Sequence, residues 1–274
     1  MATIATALPL RERPRDVLSG TPRASSIDRW IFVIIAAWFV VVVLAGFIPD
    51  SLMKVAAVQA GQRPPFPLVL HMHAVLMGSF MLLLLAQTVL MATGRSNLHM
   101  RAGIAAFVLA PTLVAVGLIL IPTIYHSIWD FAQTAPPALQ AKMHQRVLTL
   151  ENLMLLQLRI AFLFPLFLFI GLRARAGNAG LHKRMMLLAP AVVLGASIDR
   201  MSWLPTTLPT SPLATDLYIL IAVSPMFVWD VLRNRRVHAA YGIWLTVNIM
   251  AALLVYGLWD RPWWHIMARH IMRV

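Results

Sequence analysis

Seven apolar runs, near positions 30–48, 66–92, 102–123, 148–172, 185–204, 213–231 and 239–258, limit what this chain can fold into. Most reach the roughly 18 residues that mark a membrane span. Inside hydrocarbon an unpaired backbone group costs several kcal/mol, so a spanning run must form a helix or a strand of a closed barrel, and runs of this length form helices. Residues are 60% hydrophobic and only 12% charged, which excludes an ordinary water-soluble domain. The expected fold is therefore all-α: a polytopic membrane helix bundle of seven transmembrane helices, made of one anchor helix and three helical hairpins over residues 29–260.

The flanks read differently. Residues 1–28 carry Arg11, Arg13, Arg15, Arg23 and three prolines, too polar to span, and are expected to be a flexible cytosolic tail. The run after Arg29 is longer than a signal-peptide core and reads as an uncleaved anchor. Residues 261–274, with Trp263, Trp264, Arg269 and Arg273, read as an interfacial C-terminal segment. The outer connection from Tyr125 to Arg146, carrying Trp129 and Pro136–Pro137, is expected to be a loop resting on the membrane as a lid.

With the N-terminus in the cytosol, 14 of the 23 lysines and arginines fall inside and eight outside, with Arg159 within a span. That bias predicts N-terminus in and C-terminus out. The net charge of +13 then reflects topology and attraction to anionic lipid headgroups, and not nucleic-acid binding. Cysteine is absent, which excludes disulfides, cysteine-bound iron–sulfur clusters, thiolate zinc and covalent c-type haem.

Histidines supply the candidate chemistry. His71 and His73 lie in PLVLHMHAVLMGSF, about 200° apart around a helix, so they serve different sides. His71 shares a face with Ala74 and Gly78, and His73 with Phe80 and Gln87, which predicts a second span enclosed on two sides at the centre of the bundle. Three inner hairpins repeat a pattern, TGRSNLHMRAG, AGNAGLHKRMM and LRNRRVHAAYG, placing His99, His182 and His238 at one depth. Two readings of that layer stand side by side: basic groups meeting lipid phosphates, or a ligand site built from three hairpins.

An outer polar layer is expected from Glu151, Asn152, Asp199, Arg200, Asp216 and Tyr218, with Asp199 looking inward along an Ala191, Gly195, Asp199 stripe. Arg159, near the bilayer midplane, needs a partner, since an unpaired charge there costs at least about 3 kcal/mol. Asn152, Gln157, Glu151 and Asp199 are the candidates. The arginine serves either as an interhelical clamp or as an anion or cofactor contact. Pro111, Pro165, Pro190 and Pro225 are expected to kink spans three to six.

The unit from HMHAVLM through GRSNLHMRAG resembles bacterial multi-spanning proteins that look distantly like the transmembrane cytochrome b family of ascorbate and ferric reductases. Leu98 to Gly103, LHMRAG, matches that family's leucine–histidine–x–x–x–glycine turn. The resemblance implies haem b held by alternating histidines: His71 or His73 outer, His99 inner, His144 outer and His182 inner. It also implies haem propionates near Arg101, Lys183 and Arg184, a quinone or other electron-transfer partner, and a bacterial inner membrane.

Other classes compete. A metal-dependent intramembrane hydrolase would place zinc or non-haem iron among His71, His73, Glu151 and Asp199. His265 and His270 are five residues apart, off the helical spacing that zinc pairs use. A small transporter or non-catalytic subunit would use Arg159. A retinal protein is excluded because Lys54, Lys142 and Lys183 all lie outside the seventh span.

Overall fold

A computed structural model describes residues 16–19 and 24–274 of the chain. Among them every regular element is helical: α1 (Ser26–Gln59), α2 (Leu68–Ala92), α3 (Ser96–Thr134), α4 (Pro137–Ala174), α5 (Ala179–Ala191), α6 (Gly195–Ile198), α7 (Leu213–Asn234), α8 (Ala239–Leu258) and α9 (Pro262–Met272), preceded by a 3-10 turn at Val17–Ser19. Seven are long and apolar enough to cross a membrane, with α5 and α6 together forming the fifth. The chain is an all-α integral membrane protein of seven apolar helices. Alternate crossing puts the start of α1 and the α2–α3, α4–α5 and α7–α8 turns on one side, here termed the N-terminal face. The opposite side, with α9, is the C-terminal face.

Local chemistry sets the helix starts. Ser25 and Asp28 form a reciprocal capping box at α1: the Ser25 N–H donates to Asp28 Oδ2 at 2.7 Å, and the Asp28 N–H donates to Ser25 Oγ at 3.3 Å. Asn178 caps α5 by accepting from the Leu181 N–H at 2.9 Å, and His238 caps α8 by accepting from the Ala240 N–H at 3.1 Å. The four prolines behave unequally. Helices continue through Pro111, Pro165 and Pro225, while beside Pro190 the helix gives way to a tight turn before α6.

α3 and α4 have 39 and 38 residues, close to 58 Å each at about 1.5 Å per residue, and so outreach a hydrocarbon layer of about 30 Å. Only Ala135 and Pro136 join them. The stretch from Tyr125 to Arg146, expected as a loop and lid, is instead the tip of a helical hairpin. Hydropathy ends where water begins, but nothing before Pro136 stops the helix.

The centre of the bundle is the fifth span. Of its apolar window 72% is buried, against 17% in α2, which overturns the expectation that span two is enclosed. The reason is side-chain size. Gly180, Ala189, Ala191 and Gly195 let neighbouring backbones approach, and Met185, Leu187 and Leu188 fill the core with no exposure. The approach is closest at Gly46 of α1, where an added Cβ would lie 2.0 Å from the Ser197 carbonyl oxygen. α2 instead turns Leu68, Val75 and Leu82 outward, as a lipid-facing helix does.

Part of the expected flexible tail is packed. Asp16 is 2% and Leu18 6% exposed, and the Val17 N–H donates to Asn234 Oδ1 at 2.9 Å. A buried arginine, described below, holds this segment against the polar, proline-rich character of its surroundings. Residues 1–15 and 20–23 of that tail lie outside the described residues.

Candidate functional site

On the N-terminal face the turns that start α3 and α5 bring His99 and His182 together. Their ring centres are 6.4 Å apart and their planes cross at 83°. Each ring is tethered through Nδ1 to a backbone carbonyl, His182 to Gly171 at 2.8 Å and His99 to Gln87 at 3.4 Å. Both carbonyls lie in helices that end nearby, α4 and α2. A ring whose Nδ1–H donates to a carbonyl presents its Nε2 lone pair outward, the arrangement that orients histidine ligands. Both rings are half-buried.

His238, grouped with them by the sequence pattern, stands elsewhere. It caps α8 beside a buried ionic cluster centred on Arg184, which has no exposed surface. The guanidinium donates to both oxygens of Asp230, at 2.5 and 2.9 Å, to both oxygens of Asp16, at 2.8 and 3.1 Å, and to the Gly180 carbonyl at 2.9 Å. Asn234 joins the two carboxylates, at 2.7 and 3.3 Å. Burial raises the Asp16 carboxyl, but the Arg184 hydrogen bonds and the charges of Arg184 and Lys183 outweigh it and hold the group at about 2. Arg184 is thus consumed by two acids and cannot meet a propionate, contrary to the sequence expectation. Lys183 donates to the Leu18 carbonyl and lies over the Phe32 ring.

The outer histidines are not brought together. His71 is exposed, with the ring of Phe66 edge-on beside it, and His144 is exposed in the first turns of α4. His73 turns into the α2–α3 seam, where its ring lies 3.5 Å from the Cβ position of Gly117. Two turns from the other end of that seam, Gln87 faces Gly103 in the same way. His73 Nδ1 and both amide atoms of Gln87 are buried without a hydrogen-bond partner among the described residues.

Arg159 finds its partner in Asp216 of α7, not in Asn152, Gln157 or Glu151 of α4 or in Asp199 after α6, as the sequence suggested. The contact is bidentate, at 2.6 and 3.3 Å, and the Tyr256 hydroxyl of α8 donates to Asp216 at 3.2 Å.

Glu151 has no exposed surface and sits under α9. Its Oε1 accepts from the Tyr125 hydroxyl at 3.0 Å and Arg269 Nε at 2.9 Å, and its Oε2 meets His265 Nδ1 at 2.7 Å. Asp199, expected to look inward, is exposed just past the end of α6, where it accepts from the Thr215 hydroxyl. Asp199 is the C-cap of α6, its N–H still bonded to the Gly195 carbonyl. Arg200 turns to Asp50 at 3.3 Å.

No family model, curated protein or solved structure matches the chain. Its function therefore rests on the geometry itself. Among the described residues no group of three or more histidines or acids stands close enough to hold a metal ion. The set His71, His73, Glu151 and Asp199 is accordingly not assembled: two members are exposed, and Glu151 is occupied by Tyr125, His265 and Arg269.

Sequence reasoning missed Asp16, Asp230, Tyr125, Asp260 and His265 as partners. Asp230 carried a signal, being one of two acids, with Asp216, inside the apolar run 213–231, as Arg159 is a lone base in its own run. His265 carried none, since its five-residue spacing from His270 concealed that its partners lie on α4 and in the α8–α9 turn.

Proposed function

We propose that this protein is an integral membrane redox protein that holds haem b between His99 and His182. The supporting observation is the ring pair. Two imidazoles bound to one metal at about 2.0–2.1 Å per bond have ring centres roughly 6 Å apart, close to the observed 6.4 Å. Each Nδ1 is already engaged by a carbonyl, which would leave both Nε2 atoms free to hold the haem iron. Bound there, haem would supply one-electron chemistry.

The chain's own residues would orient and shield it. Gly171 and Gln87 fix the ring orientations, and the exposed Arg101 offers a cation to propionates two residues beyond His99. The resemblance of LHMRAG to the cytochrome b reductase turn points the same way, and it is the basis for proposing a quinone or another electron-transfer protein as partner. The excess of arginine and lysine on the N-terminal face favours a cytosolic location for that face in a bacterial inner membrane.

The absorption spectrum of the purified protein, before and after chemical reduction, tests the reading. A reducible haem band is expected in the wild type and in His144→Ala, and its loss in His99→Ala and in His182→Ala. A colourless wild type, or a spectrum unchanged by both inner variants, would overturn it.

A further inference from the structure

On the C-terminal face, far along α4 from the histidine pair, a hydrogen-bonded chain leads from solvent to the interior. Asp260 is 73% exposed, His265 11%, and Glu151 not at all. His265 Nε2 lies 3.3 Å from Asp260 Oδ1, His265 Nδ1 lies 2.7 Å from Glu151 Oε2, and the Tyr125 hydroxyl lies 3.0 Å from Glu151 Oε1. Accessibility falls at every step inward.

The ring stands between two carboxylates, and a neutral imidazole has a single N–H. With both acids ionised and the ring neutral, one contact would set a nitrogen lone pair against a carboxylate oxygen. Both contacts are satisfied only when the unit carries one proton beyond the neutral ring, on the imidazole or on an acid. Two acids on one imidazole are therefore a store for a mobile proton.

Other groups around the ring hold the geometry. From α4, Asn152 accepts from the Asp260 N–H at 3.0 Å and donates to Asp260 Oδ1 at 3.4 Å. That strap sustains Asp260 in a left-handed turn, φ 55°. From α9, Arg269 donates to Glu151 Oε1, and Trp264 donates to the Glu151 carbonyl at 2.8 Å. From α3 comes Tyr125. Arg261, in the turn, bonds back to the Gly257 carbonyl at 3.4 Å.

We propose that Asp260, His265 and Glu151 form a proton relay that carries protons between the C-terminal face and the buried interior of the bundle. A hydronium ion in solvent breaks one O–H bond as a new O–H bond forms on the Asp260 carboxylate, leaving water. That bond breaks as N–H forms at Nε2, and the Nδ1–H bond breaks as O–H forms at Glu151 Oε2. One proton enters, one leaves the ring, and the imidazole ends neutral. The tyrosine hydroxyl and Arg269 remain on the other oxygen, where they stabilise the ionised acid once the proton has returned to the ring by the same path. This relay is independent of the haem assignment, since none of its groups touches His99 or His182.

The test is infrared difference spectroscopy of the full-length protein in lipid nanodiscs after an acid jump from about pH 8 to about pH 5, across the range where imidazole titrates. A protonated-carboxyl band is expected in the wild type, absent in Glu151→Gln and shifted in Tyr125→Phe, which loses the hydrogen bond to that acid. Should Glu151→Gln fail to fold, the Tyr125→Phe shift carries the assignment. Asp260→Asn keeps both bonds to Asn152 but cannot pass a proton, so the band should rise roughly tenfold or more slowly to the same final height. Absence of any band assignable to Glu151, or an unchanged rate in Asp260→Asn, would show that the cluster only latches α9 in place.

Discussion

Arg159 of α4 and Asp216 of α7 face each other inside the bundle, with two guanidinium N–H groups on the two carboxylate oxygens. The pair is largely buried, at 9% and 21% side-chain exposure, so each charge depends on the other. Arg159→Leu alone strands Asp216 and is expected to cost on the order of 3 kcal/mol. The double variant with Asp216→Leu should recover most of that loss. Thermal or denaturant unfolding of both single variants and the double variant in detergent gives the cycle; a double-variant loss equal to the sum of the two single losses would show that the pair has no coupling.

Gly46 allows α1 to lie on α6. An added methyl would meet the Ser197 carbonyl oxygen at 2.0 Å, and backbone cannot swing away as a side chain can. Gly46→Ala is expected to force the helices apart and lower stability by about 2 kcal/mol or more. Gly78→Ala and Gly242→Ala, where nothing lies within 4 Å, should be silent or slightly stabilising. Parallel melting curves of the three variants check the contrast.

His238 makes stability depend on pH. Burial, and then the charge of Arg184, push its value down from 6.5 to about 4. Below pH 6.5 the unfolded chain takes up a proton that the fold refuses, so stability falls as pH drops from about 6.5 to about 4. Protonation also removes the lone pair that accepts from the Ala240 N–H. His238→Asn keeps a capping acceptor without the titration, and should flatten the melting temperature across this window. Asp16, held at about 2, contributes stability that is present above its ordinary 3.8 and lost only as pH falls through about 2, so the two effects separate.

Gln87 has both amide atoms buried in the α2–α3 seam without a partner among the described residues. Leaving such a group unsatisfied costs about 1–3 kcal/mol. Gln87→Leu is expected to raise stability by roughly 1 kcal/mol, read as a higher melting temperature. A fall instead would mean that something other than protein bonds this amide.

The membrane character, the number of spans and their approximate positions were legible in the amino-acid sequence, because hydrocarbon imposes one rule on every residue of a span. Arg159 was legible for the same reason: a charge in an apolar run needs a partner wherever it lies. The partner was not. Asp216 lies 57 positions away, and a hydropathy pattern contains no information about which helix faces which. The same limit governed the histidines. The repeated turns pointed to His99 and His182, but equally to His238, which the fold assigns to the Arg184 cluster instead.

The chain alone thus determined its solvent, its helices and the polar residues that must be reconciled with lipid, since each follows from the free energy of transferring single groups. Tertiary structure decided the central helix, the partners of Arg159, Arg184 and Glu151, and the meeting of His99 with His182. Those depend on which small residues let two backbones approach, as Gly46 and Ser197 do, and such pairings exist only after the helices have packed.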